Sequence, residues 1–161
     1  MKVKRLDTSL VGGDFRELSY QLLHKPNYLP DCLKDIKVFT DMFSHMVNVS
    51  GHFMGVYDGD KLGGFWFLGD IVPAHEATFF AWFWDGSCYT PLVVRTIRSY
   101  IRDYVSEFGL VRIVARTPDD RVYGRVLEQI GFKLEGRFKS AWKGGGKLST
   151  LFQFRILVGR G

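Results

Sequence analysis

Chemistry requires suitable side chains at suitable spacing, and this sequence offers few. His75 and Glu76 sit side by side after Pro73. Both are residue types that take up protons, but neighbours in a strand point to opposite faces, so at most one can enter a given cleft. Asp85-Gly86-Ser87-Cys88-Tyr89 is a short polar stretch running into Thr90-Pro91, an N-cap followed by a first-turn proline. The four histidines, His24, His45, His52 and His75, lack metal-ligand spacing, and neither cysteine clusters with them, so no metal site is expected. Ser87 lacks the context of a nucleophile elbow. Lys139, Lys143 and Lys147 share a hairpin with Trp142, a mixture that stacks on nucleic acid or simply faces water.

The 161 residues suit one domain. Hydrophobic residues make up 46% and charged residues 24%, which excludes a disordered chain. Cys32 and Cys88 read as reduced thiols, which places the chain in the cytoplasm. The apolar stretch Ala77 to Trp84 is strand length, so no membrane span is expected. Basic residues near Met1 lead into no apolar segment, so no secretion signal is expected either. The net charge of +5 favours an anionic partner or is ordinary solubilising charge.

The elements that must hold these residues follow from periodicity. Val3 to Leu6 suits a strand. Asp14 then looks like the cap of a helix carrying Phe15, Leu18, Leu22 and Leu23, broken by Pro26 and Pro30. Asp31 looks like the cap of a second helix, with Ile36, Phe39, Phe43 and Met46 on one face. Three strands follow: His52 to Tyr57, Lys61 to Val72 and Glu76 to Trp84. Gly63-Gly64 suggests a bulge or a close backbone approach. The nearly continuous apolar run from Glu76 suits a central strand covered on both faces. A helix from Pro91 to Phe108, ended by Gly109, makes a right-handed crossover to a strand at Val111 to Ala115. Thr117-Pro118-Asp119-Asp120 opens a last helix, and a hairpin around Gly144-Gly145-Gly146 closes the chain. The expected fold is a single α/β domain, a mixed, twisted sheet of about seven strands flanked by four helices.

Two passages resemble the GNAT superfamily of N-acyltransferases. Glu107 to Ala115 looks like the family's passage from its long helix into the fifth strand. Leu127-Glu128-Gln129-Ile130-Gly131-Phe132-Lys133-Leu134-Glu135-Gly136-Arg137 resembles the corresponding run in the branch that acetylates ribosomal-protein N-termini. The resemblance implies an acyl transfer from acetyl-CoA to an amine on a protein N-terminus, a lysine or a small molecule. It also implies that residues 1–50 form a helical acceptor-side arm and 51–161 the sheet and cofactor core. It places the cofactor diphosphate on the loop of Trp84, Gly86, Ser87, Cys88, Tyr89 and Thr90, with charge from Arg95 and Arg98. Asp120 falls where the family has an asparagine that holds the pantetheine arm. Leu127 occupies the usual position of the acid tyrosine, and Tyr123, one turn earlier, becomes the candidate acid. Glu76, or water, becomes the base, and a backbone N–H near Trp84 would hold the oxyanion. Glu135 is expected to make a structural contact.

The diphosphate loop lacks the family's glycine pattern, and the asparagine and the tyrosine are replaced. These departures keep a second reading open, a GNAT-fold protein without catalysis that serves in binding or assembly. Its partner would be another protein or a second copy of the chain, docked on the aromatic sheet. Small members of this kind look similar to proteins carried by tailed bacteriophages. A third reading, nucleic-acid binding through the basic hairpin, predicts strong salt dependence.

Overall fold

The computed structural model describes residues 1–25, 28–119 and 121–158. In chain order the elements are β1 (Lys2–Arg5), α1 (Gly13–His24), α2 (Ile36–Val49), β2 (Met54–Asp58), β3 (Lys61–Val72), β4 (Glu76–Phe83), α3 (Pro91–Phe108), β5 (Arg112–Thr117), α4 (Tyr123–Ile130), β6 (Lys133–Gly144) and β7 (Lys147–Leu157). The strands form one seven-stranded sheet, ordered β1-β2-β3-β4-β5-β7-β6. This is the mixed α/β sheet that the patterning predicts. No described helix is long and apolar enough to cross a membrane.

Alternation along the central strands splits the core in two. Trp66, Leu68 and Phe79 face α3 and α4, where they pack with Val93, Ile97, Leu127 and Phe132. Phe65 and Phe67 face α1 and α2, among Phe15, Phe39, Phe43 and Phe53. Phe53 and Phe67 stack with centroids 4.0 Å apart. Helix α3 begins where Thr90 accepts from Val93 N and Pro91 fills the first turn, and it ends at Gly109 in the left-handed region. Two of its tyrosines are tied to the loop before β2. The Tyr100 hydroxyl donates to His52 O (2.7 Å) and accepts from Leu68 N (3.1 Å), and Tyr104 accepts from His52 N (2.7 Å). Each buried hydroxyl therefore has its partners.

Three expected helix starts move. Helix α1 has Gly12 at its N-cap, and the Asp14 carboxylate instead accepts from Asp7 N and from the Tyr57 hydroxyl. Asp35, not Asp31, caps α2, accepting from Lys37 N and Val38 N. Asp31 lies in a short 3-10 turn, and its carboxylate reaches the distant hairpin, taking the N–H groups of Gly145 (2.9 Å) and Gly146 (3.0 Å). Helix α4 begins only at Tyr123, because Asp119 first folds the chain into a turn by accepting from Arg121 N and Val122 N. The Gly63 expectation holds in both forms. The β2–β3 register slips there, and a Cβ on Gly63 would strike the buried Cys88 sulfur.

Strands β4 and β5 are parallel neighbours over only three pairs, Glu76–Arg112, Ala77–Ile113 and Thr78–Val114. Beyond them the strands part.

Candidate active site

A cleft of about 360 Å³ fills the gap where β4 and β5 diverge. On the α4 face it is lined by Phe79, Ala115, Tyr123, Val126 and Leu127. On the α1/α2 face it is lined by Leu29, Met42, Met46, Phe67, Phe80 and Trp82, with Trp142 and Leu151 from the β6–β7 hairpin. It therefore passes through the sheet.

Parting leaves the edge of β4 without a neighbouring strand, and its backbone groups need other partners. At Phe83 two tyrosines supply them. Phe83 N donates to the Tyr123 hydroxyl at 2.8 Å, and the Tyr28 hydroxyl donates to Phe83 O at 3.1 Å. Each hydroxyl also perturbs the titration of the other, so the four groups form one local circuit. Burial is the main cause that pushes the Tyr123 hydroxyl far above the usual phenol range, partly offset by the Phe83 N–H. Backbone groups alternate in direction along a strand, so those of Ala81 face the same edge as those of Phe83.

The loop after β4 folds on itself. Asp85 accepts from Ser87 N and from the Ser87 hydroxyl, Cys88 N donates to Asp85 O, and Tyr89 N donates to Gly86 O. With Pro91 lacking an N–H, Gly86, Thr90 and Leu92 are the backbone donors left at the start of α3 among the described residues. Gly86 and Ser87 are exposed, as is Arg95. The other residues assigned to the diphosphate have structural partners. Trp84 N donates to Gly63 O, and its indole N–H donates to Leu62 O. That takes up the N–H of Trp84 itself. Cys88 is fully buried, and burial raises its thiol pKa. The Tyr89 hydroxyl donates to Val126 O, Thr90 caps α3, and Arg98 caps the end of α4 through Ile130 O. Asp120 lies outside the described residues.

Glu76 and Tyr123 do not meet. Glu76 stands at the closed end of the splay, 3.5 Å from Nη1 of Arg112, whose Nη2 pairs with Glu135. Glu76 and Phe83 are the two ends of β4, roughly 23 Å of extended chain apart. Glu135 links Arg112 to Arg155, the structural contact expected of it. Among the described residues no group of three or more His, Cys, Asp or Glu side chains could hold a metal.

Two residues at the cleft were not anticipated. Tyr28 lies between two helix-breaking prolines, where no periodicity points inward. Asp70 lines the cavity with φ at 49°. Its signal was a Gly-Asp pair interrupting an apolar strand, the mark of a bulge.

A mixed sheet parted between its fourth and fifth strands, crossed by one long helix and carrying the cleft in the gap, is the GNAT fold. Solved structures bear this out. The Salmonella typhimurium protein yncA, solved with acetyl-CoA, superposes with TM-score 0.74 at 12% identity, covering 100% of this chain and 95% of its own. The ribosomal L7/L12 α-N-protein acetyltransferase RimL, in complex with coenzyme A, gives 0.71 at 15%, covering 97% and 93%. The ribosomal-protein-S5-alanine acetyltransferase of Vibrio fischeri gives 0.67 at 17%, covering 96% and 91%. No protein-family model matches the chain, and no curated protein does.

Proposed function

We propose that the chain is a coenzyme-A-dependent N-acetyltransferase acting on an amine. The observation that carries this is the open cleft between β4 and β5, which lets two reactants approach from opposite faces of the sheet. The comparison with structures holding acetyl-CoA or coenzyme A on the same fold supports it.

The residues fit the cofactor unevenly. The apolar α4 half of the cleft suits the pantetheine arm, and the β4 edge at Ala81 offers backbone groups to its amides. At the start of α3 the free donors are few, so the exposed Arg95 would have to supply much of the attraction for the diphosphate. When bound, acetyl-CoA supplies a thioester carbonyl open to attack by an amine nitrogen. The chain's own residues orient the two reactants and exclude water. Tyr123 keeps its hydroxyl proton at neutral pH and acts as a hydrogen-bond donor, leaving full proton transfer to solvent. Glu76, at the far end of β4, is left out of the site.

The occupied loop donors and the tyrosine circuit on Phe83 favour a second reading, a binding or assembly module on the same fold. Calorimetric titration with acetyl-CoA, with desulfo-CoA as control, separates the two. Micromolar binding of both ligands is expected, followed by turnover in an amine screen. No binding up to millimolar concentration would overturn the enzyme reading.

A further inference from the structure

Strand β5 turns alternate side chains to the two faces of the sheet. Ile113 and Ala115 join the core under α3 and α4, so Arg112, Val114 and Arg116 face the α1/α2 side. Opposed residues of antiparallel strands share a face, which adds Arg155, opposite Val114, and Gln153, opposite Arg116. The acids among these arginines are already engaged. Glu76 pairs with Arg112, and Glu135 pairs with Arg112 and Arg155. Arg116 has a neutral partner instead. Its Nε donates to Gln153 Oε1 at 2.8 Å, and Gln153 Nε2 donates onward to Glu135 at 2.7 Å. Gln153 thus holds the guanidinium in place without neutralising it. Among the described residues no hydrogen bond or ion pair takes up the two Nη groups of Arg116. The last β4–β5 pair is Thr78–Val114, so Arg116, two residues further on, stands where the strands have parted. It lines the cleft there on the same face as Phe80 and Trp82. Asp70, an exposed acid, belongs to the bulge at the closed end, between the pairs Gly69–Thr78 and Val72–Glu76.

We infer that the acceptor carries, beside its amine, a carboxylate that pairs with the Nη groups of Arg116. The inference rests on the acyltransferase reading, which makes the α1/α2 side the acceptor's side once the pantetheine arm takes the α4 half. A guanidinium is a planar fork that matches a carboxylate with two parallel N–H donors. A polyamine approaching the same opening meets a fixed cation that no acid cancels. A free amino acid and a peptide with an acidic residue beside its N-terminus both offer this chemistry, and the exposed position of Arg116 admits either.

The test is calorimetric titration of the purified chain, with and without saturating desulfo-CoA. Two matched pairs of probes separate the sources: alanine against alaninamide, and Ala-Glu-Ala-Ala amide against Ala-Gln-Ala-Ala amide. In at least one pair the member with the carboxylate should bind about fivefold more tightly or better, as a charge-assisted bidentate contact at a partly apolar cleft allows. A preference in the first pair identifies a free amino acid, and one confined to the second identifies an acidic N-terminus. Arg116→Gln should erase the preference, leave the neutral member's affinity as it was and melt within a few degrees of the parent, because the side chain is exposed. Arg116→Glu should reverse it, so that Ala-Lys-Ala-Ala amide binds better than the Ala-Glu peptide, a change that a merely damaged fold does not produce. Equal affinities within both pairs, or a preference that survives Arg116→Gln, overturns the inference. The two readings fail separately. Acetyl-CoA binding without any preference for a carboxylate sinks the Arg116 assignment alone. Arg116-dependent carboxylate binding without acetyl-CoA binding sinks the enzyme reading and leaves an anion site at Arg116.

Discussion

Tyr123 and Tyr28 together hold the unpaired end of β4. The pair replaces a missing strand: one hydroxyl accepts from Phe83 N and the other donates to Phe83 O. Tyr123→Phe removes the acceptor and leaves that N–H unpartnered in a partly buried setting. The expected loss of stability is about 1–3 kcal/mol, read from urea unfolding. If the circuit occupies backbone that the cofactor arm needs, the same variant binds acetyl-CoA more tightly. Affinity that falls along with stability would mean that Tyr123 contacts the cofactor itself. Glu76 shows the opposite limit of a sequence reading. Its residue type suits a base, yet its strand partner is Arg112 at the closed end of the splay, and only the pairing register reveals this.

Among the elements, the β6–β7 hairpin is the one with an unexpected anchor. Its tip, with Gly145 and Gly146 both at positive φ, is held by the two carboxylate oxygens of Asp31. Trp142 and Leu151 of the same hairpin line the cleft, so the anchor also sets one of its walls. The Gly146 N–H is the main cause holding the Asp31 carboxyl below its ordinary range. A depressed folded-state pKa adds stability above the unfolded value and loses it as pH falls through the folded one. Acidification below the usual carboxylate range should therefore lower the protection factors of the Gly145 and Gly146 amides severalfold, once the intrinsic exchange rate at each pH is divided out, while those of α3 are unaffected. Asp31→Asn should do the same at neutral pH, and unchanged exchange in that variant would show that the tip holds itself. Local chemistry suggested that Asp31 capped a helix. It serves a partner 114 residues away, and Asp35, the nearer acid, caps α2. Separation of this kind is invisible to windows of a few residues, whereas α3, whose cap, stripe and terminating glycine are all local, was read correctly.

For the whole molecule, the succession of elements and the parallel crossover from β4 to β5 followed from alternation and helical period, whereas the placing of β7 between β5 and β6 did not. The cleft did not follow, since it exists where a sheet stops pairing and no single residue encodes that. The sheet lies between two aromatic-rich cores, so a ligand filling the gap braces both. If the proposed cosubstrate binds only the folded state, a concentration 100 times its Kd should stabilise by about 2.7 kcal/mol. For a chain of this size that raises Tm by roughly 5–11 °C, measurable by scanning calorimetry. An unchanged Tm at saturating acetyl-CoA would agree with the binding-module reading.

The three pairs that join β4 to β5 have a mechanical meaning. They are the pivot of a pair of tongs, one jaw made of β1 to β4 and the other of β5, β7 and β6. The width between the jaws is set at the pivot and is read out at the far end, about seven residues away. A slight change in packing at Ala77 or Ile113 would widen or narrow the grip without touching any residue that lines it. Such a design can be refitted to bulkier or slimmer cargo through its joint alone, leaving the Tyr28–Tyr123 pair intact.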